Sequence, residues 1–242
     1  MTLPRRDDGA VTPRPPSATV LGLYAGRPAP LRHGRTTVSS AVVKQPLDGV
    51  GVVRADGLVG DEQADRKNHG GPGKALLVYA AEHYADPFSP AYRLPVGSLG
   101  ENVSTRGLVE TDVRIGDVFS LGETLVQVSQ PRRPCYKMAA RHGLRQLPLG
   151  MQDAGHTGYY LRVLVPGEVE AGQPMTLQRR AAHGVTVTEV NRVLNVDKRD
   201  LQGAAFVLTA GADLPEAWRT TLEQRLADPR DLDDDSRRLY GT

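Results

Sequence analysis

Apolar positions in this chain come in short runs bounded by turn residues, from about Thr19 to the start of the last quarter. "ATVLGLYAG" reads as a first strand, "TTVSSAVVKQPL" as a second with partial alternation, and "KALLVYA" as a third. "DVFSLGETLVQVS" places two apolar runs around Leu121-Gly122 and predicts a hairpin. "YYLRVLVPGEVEAGQPMTLQRR" repeats that design around Pro166-Gly167, a pair suited to a type II turn. Strands this dense, without regular alternation of helix and strand, predict a closed or strongly curved sheet. The expected fold is mainly β with some α, built around a barrel.

The pattern changes after about His183. In "TVTEVNRVLNV", Thr186 stands three residues before Glu189, the spacing of a capping box. Val187, Val190 and Leu194 then share one helical face. A second helical segment begins at Asp197. A third, "PEAWRTTLEQRLAD", puts Pro215 at a suitable first helical position and aligns Trp218, Leu222 and Leu226. The expected organisation is a disordered tail over 1–17, a barrel domain over 18–183 and a small three-helix unit over 184–242. That unit is too small to stand confidently alone and is expected to pack on the barrel or on a partner.

Composition narrows the function. Aromatics are 5% of the chain, against 26 glycines and 18 prolines, which suits short strands and tight turns. The net charge of +2 is too balanced for a general nucleic-acid binder. No apolar run has the length of a membrane span, and the start "MTLPRRDDGAVTPRPPSA" has no apolar core of a leader. A single cysteine forms no internal disulfide. These features predict a cytoplasmic chain without nucleic-acid or membrane partners.

Three stretches carry candidate chemistry. "GLVGDEQADRKNHGGPGKALLVY" crowds Asp61, Glu62, Arg66 and His69 against Gly70 and Gly71, with Lys74 close behind. It fails the P-loop pattern, because glycine is missing at Asn68 and Ala75 stands where a hydroxyl belongs. It also lacks the strand and helix of a dinucleotide fingerprint. Solvated charges on a turn would explain it; so would an anion cradle of closely approaching backbone beside Lys74. In "GENVSTRGL", Glu101 and Asn102 read equally well as a turn. In "SQPRRPCYKMAARHG", the lone Cys135 lies between prolines among Arg132, Arg133, Lys137 and Arg141. Cations favour a thiolate, and a thiolate is a nucleophile or a ligand for a soft metal. A lone cysteine is more often buried and inert, but its flanking residues are then usually apolar. No cysteine-protease signature or zinc-ligand spacing accompanies it.

In their order, "GLVGDEQADRKNHGGPGKALLVYAAEHY", "LGENVSTRGL" and "IGDVFSLGETLVQVSQPRRPCYK" resemble MOSC-domain proteins. The closer resemblance is to the YiiM-type branch, known for resistance to 6-N-hydroxylaminopurine. The tail from "VTVTEVNRVL" through "DDDSRRLYG" resembles that branch's C-terminal three-helix domain. The similarity runs from about residue 18 to the end. It implies a β-barrel-like MOSC domain that binds molybdenum cofactor, a phosphorylated pterin dithiolene holding an oxo-molybdenum centre. Cys135 falls on the family cysteine that is a metal ligand in related molybdenum reductases. His69, Gly70 and Gly71, with Asp61, Glu62, Gln63 and Arg66 upstream, map to the cofactor pocket. Lys44 matches a lysine frequent in the branch and is placed at the phosphate. Lys74, Glu101, Asn102, Arg132, Arg133 and Lys137 complete the expected cofactor-binding set. Where the branch tends to have tryptophans after "EHY", this chain reads "ADPFSPAYRLP".

Three readings follow from the resemblance. The first is a molybdenum enzyme reducing small N-hydroxylated compounds such as hydroxylamino-purines, with Cys135 as ligand and a proton from His69, Asp61 or Glu62. The chain has no flavin, nicotinamide or iron–sulfur motif, so this reading needs a separate electron-donor reductase. The second is a sulfur carrier or sulfurtransferase using a Cys135 persulfide. The third is a non-catalytic carrier of the cofactor. Bound molybdenum, releasable sulfane sulfur and turnover separate the three. A homodimer is among the assemblies open to it.

Overall fold

The computed structural model describes residues 15–65, 69–229 and 235–241. Its first strand shows how the sequence pattern becomes curvature. In β1 (Ser17–Ala25) the buried positions are Ala18, Val20 and Leu23, so the alternation changes parity part-way. The cause is a bulge between Val20 and Gly22, where the pairing with β8 (Val103–Arg106) slips by one residue. The bend lets one strand serve three partners. Its start pairs with β13 (Pro174–Arg179), its middle with β8, and its end with β4 (Gln45–Pro46).

Closure follows from the β1–β13 pairing. The ring runs β13, β9 (Val118–Leu121), β10 (Thr124–Pro131), β11 (Tyr159–Val165), β7 (Leu76–Ala80), β8 and β1, a closed barrel of seven strands. Only β7 and β8 run parallel, and the 22 residues between them hold the short helix α1 (Glu82–Ala85) and a series of turns. Outside the ring lie a ribbon of β2 (Ala29–His33) and β3 (Thr36–Ser40), and a small sheet of β12 (Gly167–Val169), β5 (Gly51–Arg54) and β6 (Gly57–Leu58). Val20, Val78, Phe119, Val126, Leu161 and Met175 fill the barrel.

The hairpin at Leu121-Gly122 forms, with Leu121 opposite Thr124 and Gly122 at φ 56°. A second hairpin at Pro166-Gly167 does not. Both edges of β11 are already taken by β10 and β7, so the chain leaves the barrel at Pro166. It pairs β12 with β5 before returning as β13. "TTVSSAVVKQPL" is likewise two strands, β3 and β4, with Ala41–Lys44 irregular between them. Two helices follow the cysteine, α2 (Tyr136–His142) and α3 (Leu147–Ala154), where the sequence pattern gave no clear period.

The C-terminal segments are α4 (Val187–Asn191) with a π-helical turn Arg192–Val196, α5 (Leu201–Leu208), α6 (Glu216–Ala227) and α7 (Ser236–Tyr240). Thr186 caps α4 by accepting from the Glu189 N–H at 3.1 Å, while the Glu189 carboxylate turns to Arg192 instead of closing the box. Pro215 is the N-cap of α6 rather than its first residue. Val187, Val190, Leu194 and Leu222 join the barrel residues in one continuous apolar core. Arg225 is buried and donates to the carbonyls of Val193 and Leu194, tying α6 to the π-helical turn. No helix among the described residues is long and apolar enough to cross a membrane. Residues 1–14 of the expected tail lie outside the described residues.

Candidate functional site

Strand β10 ends at Pro131, which has no N–H to extend the ladder, and the chain turns out of the barrel there. Arg132 N–H still bonds Gly158 O at 2.9 Å, which anchors the loop that follows. Cys135 sits at the end of that loop in extended conformation, φ −134° and ψ 165°, as the N-cap of α2. It is 8% exposed, and it lines two adjoining cavities.

The inner cavity is walled by segments distant in sequence: Ser40–Lys44 after β3, Asp61–Asp65 after β6, Asn102 before β8 and Tyr160 on β11. Its centre is a buried ion pair. Lys44 Nζ lies 2.5 Å from Asp61 Oδ1, the two side chains being 7% and 3% exposed. Asp61 also accepts from Gly26 N–H and from Asn102 Nδ2, each at 2.9 Å. Asn102 Oδ1 accepts in turn from Leu77 N–H. Burial pushes the Lys44 ammonium below its ordinary pKa, and Asp61 works against that shift. With three donors aimed at it, Asp61 holds Lys44 in the wall. Its geometry is that of a positioning residue rather than of the proton source considered from the sequence.

Arg132 is 6% exposed and lines the same cavity. Its Nη2 donates to Leu99 O at 2.7 Å, but its Nη1 is buried with no hydrogen-bond partner. A buried guanidinium N–H without an acceptor is costly, and an anion in the cavity would satisfy it. Lys74, Lys137 and His69 line both cavities. Burial and the cations Lys137, Arg132 and Lys74 push His69 down to about 4, so its ring is neutral at pH 7. The unfolded chain therefore takes up a proton at this residue near pH 6.5 that the folded chain refuses until about pH 4. His69 contributes stability above that window and loses it as pH falls through it. Urea denaturation at pH 7 and pH 5 should show a smaller loss of stability in His69→Gln than in the original chain. Equal losses would contradict the buried, cation-flanked placement.

The remaining expected residues separate. Gln63 lines the inner cavity, and Glu62 stands at its rim, its side chain 54% exposed and paired with Arg27 at 3.5 Å. Gly70 and Gly71 are not in the wall; Gly71, at φ 95°, turns the chain into the 3₁₀ turn Pro72–Lys74 that presents Lys74. Glu101 is fully buried away from the cavity, accepting from the Tyr84 hydroxyl, Ser104 Oγ and the N–H groups of Gly97 and Leu99. It ties the turns before β8 together and lines neither cavity. Arg133 faces the outer cavity only and pairs with Asp235 at 2.7 Å. Arg66 lies outside the described residues.

The outer cavity, about 660 Å³, adds residues that the sequence did not single out as site residues: Tyr136, Trp218, Asp235, Arg237 and Arg238. Tyr160 was missed as well. It lines both cavities, and burial pushes its pKa up to about 12. Nothing in "GYYLRV" marks one tyrosine as the site residue, whereas Trp218 is the chain's only tryptophan.

The MOSC domain family model matches residues 65–176. "Uncharacterized protein YflK" of Bacillus subtilis is 39% identical over 210 residues, covering 86% of this chain and 94% of that protein. "Protein YiiM" of Escherichia coli is 38% identical over 224 residues, covering 90% and 97%. The chain is a YiiM-type MOSC-domain protein. The crystal structure of YiiM from Escherichia coli superposes on this YiiM-type chain with a TM-score of 0.74 at 34% identity, covering 94% of this chain and 100% of that one. A protein of Gibberella moniliformis named "Reductase" is 34% identical over 196 residues, covering 77% of this chain and 34% of that protein.

MOSC domains are a molybdenum cofactor-binding family. The donor set here fits such a group. No three His, Cys, Asp or Glu side chains converge into a metal site among the described residues, and Cys135 is the one soft donor at the cavities. A metal held through one thiolate must bring most of its own ligands, as a dithiolene-bound molybdenum does. The partnerless Arg132 Nη1 and the nearby lysines suit the group's phosphate.

Proposed function

We propose that this YiiM-type protein binds molybdenum cofactor through Cys135 and reduces N-hydroxylated compounds of the hydroxylamino-purine type. The observation that carries the reading is the seam of the two cavities. There a single thiol is joined by Lys74, Lys137 and His69, and in the inner cavity beside it Arg132 holds an unanswered N–H. The likeness to a protein named "Reductase" supports the oxidoreductase class.

When bound, the cofactor supplies the two-electron chemistry that, with two protons, converts N–OH to an amine and water, its electrons coming from a separate reductase. The chain's own residues bind, orient and hold protons. Arg132 and Lys137 neutralise the group's negative charge, and Lys44 is held ready by Asp61. The neutral His69 ring offers one N–H and one acceptor nitrogen. Tyr160, protonated at neutral pH, brings a hydroxyl to the same cavities.

The test is metal and pterin analysis after expression in a host that makes the cofactor, followed by assay with reduced viologen as donor. The expected result is close to one pterin and one molybdenum per chain, and turnover of a hydroxylamino-purine. Arg132→Ala should lower pterin per chain at least fivefold while costing about 1 kcal/mol of stability, the loss of one hydrogen bond. Absence of both components in the original chain would overturn the reading, and releasable sulfane sulfur on Cys135 would favour the persulfide carrier.

A further inference from the structure

The outer cavity is larger than a metal site needs and differs from the inner one in charge and in origin. Among the described residues it presents five cations against two carboxylates. One of those carboxylates, Asp235, is already shared by Arg133 at 2.7 Å, Lys198 at 3.0 Å and Arg238 at 3.1 Å. The side chains of Lys137 and Arg237 make no hydrogen bond or ion pair among the described residues. A concave surface with surplus positive charge concentrates anions. Its lining also includes three aromatic residues, Tyr136, Tyr160 and Trp218. Aromatic faces stack planar bases with little dependence on the base's identity. The volume of about 660 Å³ lies within the range of small-molecule sites.

Origin separates this wall from the cofactor's. Cys135, Lys137 and Tyr160 belong to the segment matched by the MOSC family model, residues 65–176. Trp218, Asp235, Arg237 and Arg238 come after it, from α6 and the start of α7. The C-terminal helices thus bring an aromatic ring and guanidinium groups to the cysteine from outside the segment that defines the cofactor-binding family.

We propose that the outer cavity is the substrate site and takes the N-hydroxylated base as a nucleotide, with its planar base on Trp218 and its phosphate met by Arg237. The proposal rests on the reductive reading for the fate of the base, while the nucleotide site itself can be tested by binding alone. An organic phosphate is common to cofactor and substrate, so the experiment has to tell the two apart.

Trp218 is the only tryptophan, so its fluorescence reports this cavity. The cofactor-loaded full chain is titrated with AMP and with adenosine, both inert to reduction, and its molybdenum and pterin are measured beside those of Arg237→Ala. AMP is expected to quench Trp218 and to bind at least tenfold more tightly than adenosine, with inorganic phosphate competing. Arg237 is exposed, so its replacement should leave the fold intact. Arg237→Ala is expected to weaken AMP about tenfold, leave adenosine within twofold, and keep pterin and molybdenum unchanged. Equal affinities for AMP and adenosine overturn the proposal. So does loss of pterin in Arg237→Ala, which would assign these cations to the cofactor. Turnover of an N-hydroxylated purine nucleoside and its monophosphate is then compared. Equal kcat/KM for the two sinks the nucleotide preference and leaves the reductase reading standing. Preferential AMP binding with no turnover of either sinks the reductase reading and keeps the nucleotide site.

Discussion

Cys135→Ala is expected to lose at least nine-tenths of its molybdenum and at least a hundredfold in activity, while keeping its fold and at least half of its pterin. Each part has its own physical reason. The thiol is the only soft donor at the seam of the cavities, so alanine leaves the metal without a protein ligand. The pterin's phosphate is assigned to Arg132 and its neighbouring lysines, which the substitution does not touch. Stability should barely change. Cys135 makes no side-chain hydrogen bond to the helix it caps, and alanine adopts its extended backbone without strain. The deleted sulfur borders open cavities, so no closed void forms; the cost should stay near 1 kcal/mol, a few degrees in Tm. Metal analysis, pterin oxidation and a melting curve on the same preparation check all three. Retained reduction of N–OH in the alanine variant would remove Cys135 from the metal.

The sequence made the local features legible and left the distant ones hidden. Cys135 stood out because its neighbours are charged, which an inert core cysteine would not need, and the structure puts it at the meeting of two cavities. Thr186 was legible as a cap because the donor it satisfies is three residues away. Pro166-Gly167 was legible as a turn, but turn chemistry does not say which strand comes next, and β11 had no free edge to offer. Glu101 and Asn102 could not be told apart by type. They are consecutive and face opposite ways, one into the turns before β8 and the other into the inner cavity. The pairing of Lys44 with Asp61 depends on two irregular segments brought together by the barrel. Trp218 and Arg237 reach the cysteine only because the C-terminal helices share the barrel's core. Periodicity finds elements; a site assembled from five or six loop segments has no period.

Asp61→Ala is expected to be the most destabilising change at the site, at about 3–5 kcal/mol in urea denaturation at pH 7, the usual cost of breaking a buried ion pair from one side. It strands the Lys44 ammonium in a buried wall, and it orphans the Gly26 N–H and one N–H of Asn102. Lys44→Met should cost less, about 1–2 kcal/mol, because Asp61 keeps both of its neutral donors. The double variant should then be more stable than Asp61→Ala alone, since no unpaired ammonium remains, and that inversion is what a double-mutant cycle reads. The pH dependence adds a second check. In the original chain burial lowers Lys44 and Asp61 opposes the shift, so removing Asp61 lowers it further. A lysine depressed in the folded state contributes stability above its unfolded pKa and loses it as pH falls through the folded one. The deficit of Asp61→Ala should therefore shrink between pH 7 and pH 9.5, while that of Lys44→Met should grow, because the original chain itself gains stability as pH rises and the methionine variant does not. A deficit below about 1 kcal/mol, or one independent of pH, would mean that Asp61 is free to serve as a proton source and that Lys44 is held by something else.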